Sequence, residues 1–85
     1  MNLSIIWDLD DDEEGNVRHI VEHGIEKNDV AYVFDYPVGI GTSDSSNRPM
    51  IFGYTTDARY ITVSYEQIDE DTVYPVIAFE VPEPE

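Results

Sequence analysis

The chain has 85 residues, enough for one domain and too few for two. A domain of this size buries only about 60–65% of its unfolded surface, so a deep cleft under a separate lid is not expected. Nineteen acidic residues face four basic ones, Arg18, Lys27, Arg48 and Arg59, for a formal net charge of −15. Such a field repels nucleic acid, which is gripped mainly by Lys and Arg on its phosphates, and favours protein partners.

Apolar residues make up 41% of the chain, a globular proportion, and aromatic residues 12%. There is no cysteine, hence no disulfide framework and no thiolate metal site. The N-terminal run Met1-Asn2-Leu3-Ser4-Ile5-Ile6-Trp7-Asp8 lacks a basic flank and breaks at Asp8. It reads as neither a signal peptide nor a membrane span, and a cytoplasmic location is expected.

Leu3 to Asp8 alternates as a short strand. The following Asp8-Leu9-Asp10-Asp11-Asp12-Glu13-Glu14 reads as a solvated loop entering a helix. Asp11 or Asp12 is expected to cap that helix, with Glu13 and Glu14 in its first turn. The helix is expected over about 13–23, with Val17, Ile20 and Val21 as its buried stripe and Gly24 as a left-handed stop. A second helix is expected from Lys27 to Asp35, with Val30, Val33 and Phe34 facing inward and Tyr36-Pro37 ending it.

Val38 to Asn47, with two glycines and a polar tract, is expected to be a loop. Three strands follow: Arg48 to Thr55, Arg59 to Glu66 and Thr72 to Val81, with turns at 56–58 and 67–71. Pro75 removes a ladder donor, so the last strand lies at an edge or is bulged there. Residues 82–85 form a frayed tail. The expected order is β-α-α-β-β-β: an α+β domain with two helices on one face of a mainly antiparallel sheet.

Chemical motifs are sparse. An EF-hand counted from Asp8 would need Gly and Glu where Glu13 and His19 stand, so no specific calcium site is expected. His19-Ile20-Val21-Glu22-His23 spells H-x-x-E-H, which puts two imidazoles on one helical face. His19 and His23 are weak zinc candidates, because no third ligand or cleft accompanies them. Neither a nucleophile elbow nor a phosphate-binding glycine loop is present, and no cofactor is expected.

Several short anchors then line up: Trp7-Asp8, Asn16, Glu22-His23-Gly24-Ile25, Val33-Phe34-Asp35-Tyr36-Pro37, Arg48, Gly53-Tyr54-Thr55, Arg59 to Tyr65, and Val76 to Glu80. Together they resemble the BrnT family, the toxin half of a bacterial type II toxin–antitoxin pair, over nearly the whole chain. The resemblance implies a RelE-like fold, ribonuclease activity without metal, and an antitoxin partner. It maps catalytic candidates onto His23, Arg48 and Arg59. Two departures stand out: Glu22 replaces a common Lys, and Ala78-Phe79-Glu80 replaces a common Ala-Arg-Lys that leads into a basic helix. The expectation is therefore a divergent, acidic BrnT-like protein that binds protein through its sheet edges or acidic face, with toxin ribonuclease as the alternative.

Overall fold

In a computed structural model, which describes residues 3–84, the two periodicities of the sequence resolve into two layers. The elements are β1 (Ser4–Ile5), α1 (Asn16–Glu22), α2 (Lys27–Asp35), β2 (Gly39–Thr42), β3 (Pro49–Tyr54), β4 (Tyr60–Asp69) and β5 (Thr72–Glu80). The sheet order is β1-β5-β4-β3-β2, with β1 parallel to β5 and every other pair antiparallel. This is an α+β fold with two helices and a five-stranded mixed sheet. Met1 and Asn2 of the N-terminal run and Glu85 of the expected tail lie outside the described residues.

The strand β2 corrects the expected loop. Its two glycines conceal an alternating pattern, yet the polar tract behind it closes a hairpin. The Ser43 N–H donates to Arg48 O at 2.8 Å, the Asn47 N–H donates to Ser43 O at 2.8 Å, and Asn47 takes φ 58. Asn tolerates that left-handed backbone better than most residues. The expected first strand is also too long. The ladder with β5 covers only Ser4–Ile5: the Ile6 N–H still donates to Val73 O at 2.9 Å, but Ile6 O and the Asp8 N–H are taken by the side chain of Asn16.

α1 begins three residues later than expected. Gly15 is its N-cap without a side-chain bond, and no acid sits in its first turn. Asp12 instead closes a local turn, its Oδ1 accepting from the Glu14 N–H at 3.0 Å. Such Asx turns compete with helix starts. The stop at Gly24 is as expected, with φ 75. The Gly24 N–H donates to Val21 O and the Ile25 N–H to Ile20 O, both at 2.9 Å, the paired bonds of a Schellman ending. That ending swings Ile25 into the core at 0% exposure and leaves Val21 54% exposed, so Ile25 takes the place expected for Val21.

α2 has the expected bounds, and Val30, Val33 and Phe34 are buried. It presses on β3 closely enough that a Cβ on Gly53 would lie 2.9 Å from Val33 Cγ1. The core is one cluster: Ile20, Ile25, Val30, Val33, Phe34, Ile51, Ile61, Val63, Val73 and Ala78. Each fully buried aliphatic side chain there contributes about 1.5–3 kcal/mol. β4 runs on to Asp69, leaving a two-residue turn rather than the wider one expected. The register shifts between Ser64 and Tyr65, where Ile77 and Pro75 are the partners, so Val76 is the extra residue of a bulge beside Pro75.

Registers Ile51↔Val63↔Ala78 put the core on the helix side. The other side carries Met50, Phe52 and Tyr54, then Ser64, Thr62 and Tyr60, then Ile77 and Phe79. Val81 continues it, its N–H donating to Tyr60 O at 3.0 Å. Among the described residues the helices reach this side only at Phe79, whose ring lies 6.0 Å from that of His23 at the end of α1.

Candidate functional site

Of the sequence candidates, His23 and Arg59 come together and Arg48 does not. Arg59 follows the β3–β4 turn, where Ala58 takes φ 66 after Thr56-Asp57. Three-residue hairpin loops commonly end in such a left-handed residue. Thr55 organises the turn: its hydroxyl donates to Asp57 Oδ1 and accepts from the Arg59 N–H at 3.0 Å. The guanidinium is thereby aimed at the corner between the helices. Its Nη1 donates to Gly24 O at 2.8 Å, its Nη2 to Asp29 Oδ2 at 3.1 Å, and its Nε to Asp57 Oδ2 at 3.1 Å.

All three guanidinium nitrogens are thus engaged. Asp29 in turn accepts from the Glu26 N–H at 2.9 Å and completes a capping box on α2. The Asp57 hydrogen bond, then the charges of Asp57, Asp29 and Glu80, hold the Arg59 guanidinium above its ordinary pKa. The Thr55 hydroxyl first, then Arg59, hold the Asp57 carboxyl below the usual carboxylate range. This arrangement ties the start of β4 to the α1–α2 corner. A phosphate bound there would have to displace two carboxylates and a carbonyl.

His23 caps the C-terminus of α1, exposed, with its ring centroid 6.0 Å from that of Phe79. His19 is exposed one turn earlier. Among the described residues no group of three or more His, Asp or Glu side chains converges on a metal position. Arg48 sits at the opposite end of β4, where its Nε and Nη2 both donate to Glu66 Oε1 at 3.2 Å. Seven residues of strand separate Glu66 from Arg59, roughly 20 Å. Lys27 pairs with Asp10 at 2.8 Å. Three of the four basic residues are therefore matched to carboxylates.

A second polar node gathers around Asn16, which is 1% exposed. Its Oδ1 accepts from the Asp8 N–H at 2.9 Å; its Nδ2 donates to Ile6 O at 3.0 Å and Pro75 O at 2.9 Å. Its own N–H donates to Asp8 Oδ2 at 2.9 Å, and the Tyr74 hydroxyl donates to the same oxygen at 2.6 Å. Tyr74, then the Asn16 N–H, hold the Asp8 carboxyl below its ordinary pKa, and the Tyr74 phenol is pushed up to about 12, chiefly by Asp8. The sequence contains one signal for this node: an uncharged Asn inside the first turn of a helix, where a side chain bonding to distant backbone is favoured over a solvated one. Its distant partner Pro75 carries no such mark.

No cavity opens among the described residues. What the surface offers instead is the side of the sheet turned away from the core, where Met50, Phe52, Tyr54, Tyr60, Ile77, Phe79 and Val81 are all only half-buried. Phe52 stacks on Tyr60 at 6.1 Å, and Tyr60 tilts against Tyr54 at 4.9 Å. Antiparallel sheets with one covered face usually turn polar residues outward on the other. Here the outward side is mostly apolar, a pattern that marks interaction surfaces. No helix among the described residues is long and apolar enough to cross a membrane. Compared with protein-family models, curated proteins and solved structures, the chain finds no match.

Proposed function

We propose that this chain is a divergent, acidic BrnT-like protein with a RelE-like architecture, working in the cytoplasm by binding another protein rather than by cutting RNA. The observation that carries this reading is the sheet side turned away from the core, where seven large apolar side chains are left half-exposed. The engaged state of Arg59 supports the same reading from the other direction, because a guanidinium held by Asp57, Asp29 and Gly24 O is poorly placed to grip phosphate. Asp8, Asn16 and Arg59, three of the residues that carry the family resemblance, are nodes that hold helices to sheet. In this chain those three anchors serve the packing of the domain rather than chemistry. An antitoxin-like protein encoded nearby is the first partner to test.

A specific observation favours a second reading. His23 and Arg59 do share a corner, through the Gly24 carbonyl that follows His23. A toxin ribonuclease would use His23 to move a proton and Arg59 to stabilise phosphate charge, with Arg48 playing no part. Induced expression in a bacterial host separates the two. Normal growth with intact RNA is expected, together with capture of a partner that is lost in a folded Phe52→Glu variant. RNA cleavage that disappears in His23→Ala would refute the protein-binding reading.

A further inference from the structure

The sheet has two outer edges, and they are built differently. β1 pairs over two residues only, a length that offers little template. β2 is a continuous edge strand, Gly39-Ile40-Gly41-Thr42, with no proline, lysine or other charge to blunt it. Ser43 directs its N–H inward to Arg48 O, so by alternation the amides of Ile40 and Thr42 face outward. Neither strand glycine is demanded by the fold: a Cβ would meet only Phe52, at 3.6 Å on Gly39 and 3.5 Å on Gly41, which is ordinary contact. Strand glycines occur at bulges, at bends and where a ligand or another backbone comes close, and these two leave room for the last.

An apolar strip runs along the same edge. Ile40 is 83% exposed, Val38 61%, Tyr36 63% and Tyr32 37%, and the two tyrosine rings lie 4.9 Å apart. The strip is continuous: α2 ends over β3, where a Cβ on Gly53 would be 3.4 Å from Tyr36 O, and the Val38 N–H donates to Phe52 O at 2.8 Å. The unpaired charges that flank β2 are acidic, because Arg48, which closes the hairpin through its O to the Ser43 N–H, is paired with Glu66. Between residues 28 and 47 stand Asp29, Asp35 and Asp44 and no Lys or Arg. Asp29 is held by Arg59, whereas Asp35 and Asp44 are exposed on either side of β2.

We infer that the outer edge of β2 accepts an extended segment of a partner protein that alternates apolar with basic residues. Main-chain pairing to Ile40 and Thr42 supplies affinity, Ile40 and the tyrosines receive its apolar side chains, and Asp35 and Asp44 select Lys or Arg. A second copy of this chain is a poor occupant, because each copy brings a net charge of −15. The global acidity thus guards an edge that has no local guard, while leaving it open to a basic strand. This inference rests on the protein-binding reading but uses a different surface from Phe52.

The test is amide chemical-shift mapping with a short capped peptide alternating lysine and valine, and a glutamate–valine peptide as control. Saturable shifts centred on Ile40 and Thr42, weakened by salt and absent with the control, are expected. Ile40→Lys, at a site too exposed to unfold the domain, should weaken binding at least about tenfold. Thr42→Pro, which removes an outward N–H, should do the same. Shifts spread over the acidic run at 8–14 with Ile40 silent, or undiminished binding by Ile40→Lys, would overturn the proposal. So would dimerisation through β2 at low salt. A natural partner lost on Phe52→Glu but indifferent to Ile40→Lys would keep the protein-binding reading and remove the edge.

Discussion

Replacing Asn16 by Ala should be the most damaging single change on the polar side of this molecule. The side chain makes three bonds, to the Asp8 N–H, Ile6 O and Pro75 O, and the last of these is fully buried. Truncation leaves the Pro75 carbonyl without a partner, at a cost of about 1–3 kcal/mol. The other two groups are part-buried and can recover water, so each loses about 0.5–1.5 kcal/mol. The sum is about 2–6 kcal/mol. A domain of this size has roughly 4–13 kcal/mol in total, so the variant should lose about half of its stability. Urea unfolding followed by circular dichroism measures this, with Trp7 fluorescence as a second probe because that ring packs against the core. A loss below about 1 kcal/mol at unchanged urea slope would refute the reasoning, because it would mean that the buried carbonyl had never depended on Asn16.

Three further outcomes follow from the same geometry. Gly53→Ala should destabilise by about 1–3 kcal/mol, because its Cβ would press on Val33 Cγ1 at 2.9 Å in the packed α2–β3 interface; an unchanged thermal midpoint would mean that α2 can lift away. Ala58→Gly should stabilise by about 0.5–1 kcal/mol by relieving φ 66 in a non-glycine residue, read as a Tm rise of several degrees. Tyr74→Phe should cost stability most at neutral pH, and the sign follows from both partners. Asp8, with its carboxyl lowered from 3.8, contributes above its unfolded value and loses that contribution as pH falls through the folded one. Tyr74, raised from 10.0 to about 12, contributes below its unfolded value and loses that contribution as pH rises toward 12. The difference between wild type and Tyr74→Phe should therefore be flat from about pH 5 to about pH 9 and shrink on both sides, measured by urea unfolding across that range. A difference that grows in acid would contradict the assigned bond.

Local signals read well wherever the physics is local. The left-handed stop at Gly24, the end of α2 before Pro37 and the bulge at Pro75 each depend on the residue itself and its nearest neighbours. The alternation of Ile61 and Val63 located β4, and the same pattern separated helix from sheet along most of the chain. Where elements begin and stop pairing was decided elsewhere. β1 stops after Ile5 and α1 starts at Asn16 because one side chain joins Ile6, Asp8 and Pro75, and the last lies 59 residues away. β2 exists because β3 was there to receive it, although two glycines hide its pattern.

The candidate site divides along the same line. Its residue types, the scarce arginines and the abundant acids, are properties of the sequence alone, and so is the repulsion of polyanions. Which acid each arginine meets is not. Arg59 meets Asp57 within its own turn, but it meets Asp29, thirty residues away, only because β4 closes against the α1–α2 corner. The net charge was legible from composition because charge adds without regard to position. The pairing of Arg59 and the unpartnered edge of β2 depend on position, and position is what the packing of helix on sheet decides.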